Sequence, residues 1–162
     1  MTSTPWRITS RRPAAGLVPH KGAMCLLDDV LEADAEHLVA EVTPRDDDLF
    51  AAAEGIPGWV GIEWLAQAIA AWSGQRAISA GGSPRLGFLL GTRRYRCQVE
   101  HFAFSRPIRV EITLDYQAGN GLGAFTGRLL DDTGTECASA ILNVFEPDDL
   151  QALAGPQQDD PS

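Results

Sequence analysis

The sequence predicts an α+β fold, an antiparallel sheet wrapped around one long central helix, assembled as a dimer. Three observations predict it. Residues 58–79 are rich in Ala and Leu, hold no turn signal before Ser73-Gly74, and are apolar on nearly every face. Stretches with β character flank them on both sides, each bounded by turn residues. A helix without a polar face must be covered all round, and one sheet of this size covers only part of it. The remainder, and the open sheet edges, are best satisfied by a second copy.

Taken in order, residues 1–15 read as a flexible arm. They carry Arg7, Arg11 and Arg12 but no apolar segment, unlike a secretory signal. The domain proper spans residues 16–147. Residues 24–31 and 37–43 read as two strands joined by an acidic turn, with Leu38, Ala40 and Val42 alternating with Val39, Glu41 and Thr43. Residues 44–55 form a loop, in which Asp46, Asp47 and Asp48 are solvated and Leu49 and Phe50 tucked in. The helix ends at Ala80-Gly81-Gly82-Ser83-Pro84. Strands then cover 85–90, 95–102, 108–117, 123–130 and 137–145, separated by Gly91-Thr92, Ser105-Arg106-Pro107, Gly119-Asn120-Gly121 and Asp131-Asp132-Thr133-Gly134. Residues 148–162 are an acidic tail expected to be disordered. No internal repeat is present.

The 162 residues, 44% hydrophobic, suffice for one domain with a core. A net charge of −9 and a pI near 4.7 argue against sequence-independent nucleic-acid binding. Arg85, Arg93, Arg94 and Arg96 nevertheless cluster. They form either a patch for an acidic partner or phosphate, or a solvated strand face. Cys25, Cys97 and Cys137 are odd in number and far apart, which points to a reducing compartment and a cytoplasmic protein. No Cys-His spacing suits a metal. No apolar stretch is long enough to span a bilayer.

Glu63 stands out. It is the one charge in Val60-Gly61-Ile62-Glu63-Trp64-Leu65-Ala66-Gln67-Ala68-Ile69-Ala70-Ala71-Trp72, with no Lys or Arg within four residues. Loss of water without a counter-charge favours the neutral carboxylic acid, a proton donor. The bland alternative is a carboxylate bonded to backbone or solvent at a helix end.

Ile56-Pro57-Gly58-Trp59-Val60-Gly61-Ile62-Glu63-Trp64-Leu65-Ala66-Gln67 resembles the helix of the β-hydroxyacyl-[acyl-carrier-protein] dehydratases. In that family a Pro-Gly precedes the catalytic Glu or Asp by five residues and an Ala-Gln follows it; here Gly58 and Gln67 stand five before and four after Glu63. Leu17-Val18-Pro19-His20 with Leu26-Leu27-Asp28 resembles the family's N-terminal segment, and Arg94-Tyr95-Arg96 through Val110 its strand pair. The resemblance covers residues 17–147. Trp59-Val60-Gly61-Ile62-Glu63, the run from Leu86 to Tyr95, and Asn120-Gly121-Leu122-Gly123 resemble the ApeP-like branch of aryl polyene biosynthesis.

The resemblance implies a dimeric hot-dog fold, and the all-round apolar helix with open sheet edges places Trp59, Trp64 or Trp72 near the shared core. It implies a hydro-lyase that converts 3-hydroxyacyl thioesters to trans-2-enoyl thioesters, in fatty-acid or aryl-polyene/polyketide-type biosynthesis. No cofactor is expected beyond the phosphopantetheine of an acyl carrier protein. That carrier is the expected partner, with hetero-assembly with another hot-dog protein as a further option. One departure is plain. The family's base is a histidine in a Gly-His-Phe-Pro loop, whereas Leu49-Phe50-Ala51-Ala52-Ala53-Glu54-Gly55 holds none.

Dehydration requires a base at C2, an acid at the C3 hydroxyl and donors to the thioester carbonyl. Glu63 suits the acid. Gln67, on the same helical face, either holds the Glu63 carboxyl or serves the fold as a buried amide. Gly58 and Trp59 open the helix and offer N–H groups to an oxyanion, unless they form an ordinary turn into the helix. His20 lies in the stretch resembling the family's site and is the candidate base, or else a loop histidine. His37 reads as exposed and His101 as lacking a partner. Arg93, Arg94 and Arg96 are the candidate docking residues for the carrier. Cys97 lacks a histidine at fixed spacing, and Ser73 lacks a nucleophile elbow. A hot-dog acyl thioesterase and a non-catalytic partner subunit are the alternative readings.

Overall fold

Strand β1 (Arg12–Pro13) is followed by β2 (Asp29–Ala33), β3 (His37–Val42), β4 (Ile56–Pro57), helix α1 (Val60–Ser79), β5 (Phe88–Cys97), β6 (His101–Phe102), β7 (Ile108–Gln117), β8 (Leu122–Leu130) and β9 (Glu136–Phe145). The structure is a computed structural model and describes residues 6–82 and 88–147. Seven strands make one antiparallel sheet in the order β1-β2-β3-β7-β8-β9-β5, and β4 pairs with β6 in a short separate ladder. Period-two alternation builds the main sheet: Val110 and Ile112 of β7, Phe125 and Leu129 of β8, and Ala138, Ala140 and Leu142 of β9 are buried. They join Trp64, Leu65, Ala68 and Trp72 of α1 in one core.

Helix and sheet approach closely at Gly127, where a Cβ would come within 2.7 Å of the Leu65 side chain. Trp64 packs on Phe102 at 4.8 Å, and Trp72 packs edge-on against Phe125 at 5.4 Å. The Trp72 indole N–H donates to the Asp34 carbonyl at 2.9 Å, so this ring is buried without an orphaned donor. Trp64 and Trp72 thus serve the chain's own core. Of the three tryptophans expected at a shared core, only Trp59 is exposed.

As expected, the chain's own sheet covers only part of the helix. Trp59, Ile62, Glu63, Ala66 and Ala70 recur every three or four residues and form a strip that is exposed or half-buried in the single chain. Apolar residues on every face mark contact with protein, but the sequence cannot say which contacts lie within the chain.

The N-terminal segment is also not a loose arm over residues 6–15. Ile8 exchanges two backbone hydrogen bonds with Ala33, at 2.8 and 3.1 Å, and is 2% exposed. Arg12 and Pro13 extend the sheet beyond β2, an edge position that suits a residue without an N–H. The strand expected over 24–31 begins only at Asp29; Gly22–Met24 is a single 3-10 turn. Gly91-Thr92 does not separate two strands, since β5 runs through it as an outer strand of the sheet with irregular register. The strand expected over 95–102 breaks after Cys97, and β6 leaves the main sheet to pair with β4. Part of the strand expected over 85–90, and the tail over 148–162, lie outside the described residues. Among the described residues no helix is long and apolar enough to cross a membrane.

Docking of the N-terminal segment is testable at Ile8. Truncation of a buried Ile to Ala typically costs ~2–5 kcal/mol. Ile8→Ala should therefore lower the urea midpoint clearly, whereas an unmoved midpoint would mean that the segment is loose.

Candidate active site

The site is built at the start of α1. Pro57 pairs with His101, and the Gly58 N–H donates to the Glu100 carbonyl at 2.8 Å. A Cβ at residue 58 would meet the Val99 carbonyl oxygen at 2.6 Å and Cys97 Sγ at 3.1 Å. Glycine is therefore required by the close approach of residues 97–100. The expectation of a free Gly58 N–H is corrected by this bond. Among the described residues the N–H groups of Trp59 and Val60 have no acceptor, while those of Gly61 and Ile62 turn back to the Gly58 and Trp59 carbonyls at 3.2 Å. The Trp59 ring is 54% exposed and meets Phe50 edge-on at 5.2 Å.

Tyr95 reaches this turn from β5. Its hydroxyl donates to the Gly58 carbonyl at 2.5 Å. Burial, with Cys97 adding to it, pushes the phenol upward, so Tyr95 stays protonated and remains a donor. Sequence reasoning missed this role, since no local spacing links residue 95 to residue 58.

Glu63 lies one turn inside the helix, half-buried on the uncovered strip. Gln67, 1% exposed, does not bond to it. The Gln67 Oε1 accepts the Leu26 N–H at 2.8 Å, and its Nε2 donates to the Met24 carbonyl at 2.7 Å. The amide clamps residues 22–27 onto α1, which is why that segment does not continue as a strand. Its loss would strand two backbone groups without partners.

His20 lies just upstream of the clamped segment. Its Nδ1 is buried and has no hydrogen-bond partner among the described residues. A cavity of about 640 Å³ opens beside it, with Val18, Lys21, Cys25, Leu27 and Asp28 in its wall. Glu63 is not among the residues that line this cavity. Burial, reinforced by Asp28, pushes the Cys25 thiol up and disfavours a thiolate there.

His37 is held between Asp34 at 3.1 Å and Glu32 at 3.3 Å, away from α1's start. His101 has a partner after all, Glu54 at 3.8 Å, and stands opposite Pro57. Arg93, Arg94 and Arg96 are exposed on the outer strand β5 and form no ion pair with the described residues; Arg85 lies outside them. Among the described residues no cluster of three His, Cys, Asp or Glu side chains could hold a metal. The arrangement instead offers a polarised helix start with a carboxyl one turn inside it, suited to a substrate that develops negative charge on a carbonyl.

The family model of the ApeP dehydratases (ApeP-like) matches residues 12–155. No curated protein matches the chain. A chain of the dehydratase heterocomplex ApeI:P from Xenorhabdus doucetiae shares 31% identity and superposes with a TM-score of 0.81, covering 90% of this chain and 99% of that one. The E. coli PaaI protein from the phenylacetic acid degradation operon shares 10% identity at a TM-score of 0.58, covering 73% of this chain and 78% of its own. A hypothetical thioesterase from Streptococcus pneumoniae TIGR4, solved with coenzyme A, shares 13% identity at a TM-score of 0.52, covering 68% and 78%. These last two show the hot-dog fold alone. On the family match and the 31% identical relative, the chain belongs to the ApeP-like dehydratases.

Proposed function

We propose that the chain dehydrates 3-hydroxyacyl thioesters borne on an acyl carrier protein to trans-2-enoyl thioesters, in the cytoplasm and in a biosynthetic pathway of the aryl-polyene or fatty-acid type. The observation that carries this is the placement of Glu63. It is the one charged residue of α1 before Arg76, and it stands on the strip that the chain's own sheet leaves uncovered, one turn inside the helix start. In the reaction a base removes the C2 proton and the C–H electrons become the C2–C3 double bond. The C3–O bond breaks as the Glu63 carboxyl protonates the departing hydroxyl, and water leaves. The Trp59 N–H, with Val60 beside it, receives the thioester oxygen as charge develops on it.

A second hot-dog chain belongs over the strip. Ile62, Ala66 and Ala70 offer a shallow apolar surface, and a cover there would exclude water from Glu63. The relative seen in a dehydratase heterocomplex favours an unlike partner, and a homodimer would close the strip in the same way. His20 is the base in this reading. Arg93, Arg94 and Arg96 receive the acidic carrier or its phosphopantetheine phosphate. No group beyond that arm takes part.

Glu63→Gln should keep the fold and lower kcat by ~10²–10⁴-fold, the usual share of general acid–base catalysis. His20→Ala should cause a loss of similar size, and the double variant should be little worse than either single one. Near-wild-type turnover in His20→Ala alone would assign the base to the unlike partner. Retention of activity in Glu63→Gln would defeat the proposal.

Charge reversal at Arg93, Arg94 and Arg96 together should raise KM for the carrier-bound substrate, and added salt should shrink the difference. An unchanged KM would make the three residues a solvated strand face.

A further inference from the structure

We infer that Tyr95 is a positioning residue for the reaction, its hydroxyl fixing the Gly58–Trp59 peptide so that the Trp59 N–H is aimed at the thioester carbonyl. The inference rests on the dehydratase reading. The Gly58 carbonyl accepts from the Tyr95 hydroxyl at 2.5 Å and from the Gly61 N–H at 3.2 Å. The peptide unit is planar, so fixing its carbonyl fixes the direction of the N–H at its other end. Two donors on the oxygen also polarise the unit, which strengthens its N–H toward an acceptor.

Two costly features of the chain are accounted for by this one contact. Gly61 lies in the first turn of α1, where glycine is the poorest helix former after proline. A Cβ there would overlap the Tyr95 hydroxyl and come within 2.6 Å of Leu129 Cδ1. On the other side, Arg94 holds φ at 54°, a conformation rare for a residue with a Cβ, and the β5–β9 register shifts between Arg93 and Arg96. Such a bulge re-aims a side chain, and the one re-aimed here is Tyr95. Helix and strand therefore both depart from their preferred chemistry where the phenol meets the helix start. Because the phenol stays protonated, it acts as a fixed donor and exchanges no proton with substrate.

The test is Tyr95→Phe in the full chain in its native assembly, with a 3-hydroxybutyryl N-acetylcysteamine thioester, ¹³C-labelled at the carbonyl, as the probe. One hydrogen bond's usual share predicts a fall in kcat of about 3- to 10-fold, with KM and the shape of the pH profile unchanged. The infrared band of the bound thioester carbonyl should shift to lower frequency in the wild type and shift less in Tyr95→Phe. Gly61→Ala, which displaces the hydroxyl while keeping the ring, should reproduce both effects, and the double variant should add nothing. An unchanged kcat and band position in Tyr95→Phe overturns the inference, as does a loss confined to KM. A wild type that shifts the carbonyl band without losing water sinks the dehydratase reading alone; the band in Tyr95→Phe then still decides the role of the hydroxyl.

Discussion

Where α1 starts is decided by how closely two backbones meet. The Gly58 N–H is bonded to the Glu100 carbonyl, and there is no room for a side chain at residue 58 beneath the Val99 oxygen. Pro57 before it pairs with His101, so the chain enters the helix from a short ladder rather than from a free loop. With that entry set, Trp59 faces outward, Trp64 falls into the core against Phe102, and Glu63 is turned to the strip between them. A helix of 20 residues held by Trp64, Leu65, Ala68 and Trp72 has little freedom to rotate, because each is buried against the sheet.

The same seat explains why one strip of α1 stays uncovered in the single chain. The sheet covers the face of α1 that carries Trp64 and Trp72, and the opposite strip is left with a carboxyl among small and apolar residues. Water at that strip would weaken every electrostatic interaction that the chemistry uses, so a cover is a chemical as well as a packing requirement. Gln67 links the segments of the two candidate residues from within. One buried amide ties the segment after His20 to the helix of Glu63, and both of its bonds go to backbone. A shift of either element would therefore be felt by the other.

Much of this was legible in the residues. The helix announced itself by length, by Ala and Leu content and by the breakers after Ser79, and β7, β8 and β9 by their alternation. What escaped depended on contacts distant in sequence. Ile8 looks like any residue of a polar arm until Ala33 lies beside it. Gly91-Thr92 has the composition of a turn, and only pairing with β9 shows it to be an irregular outer strand. Gln67 shares a helical face with Glu63, which suggested a partner, but the backbone of residues 24 and 26 claims it instead. Isolation among apolar residues singled out Glu63 and the family resemblance Gly58, while Tyr95 carried no local signal, because its meaning depends on a bulge in one element and a missing Cβ in another.

The central claim is that Glu63, presented from the uncovered strip of α1, removes water from a carrier-bound 3-hydroxyacyl chain. Intact-mass analysis of the acylated carrier measures this most directly, with the chain supplied alone and together with a second hot-dog subunit. Loss of one water from the carrier-bound chain, with the thioester intact and the loss abolished when Glu63 is replaced, is the result the account predicts. Release of the free carrier thiol would show a thioesterase, and an unchanged mass under both conditions would contradict a catalytic role for Glu63.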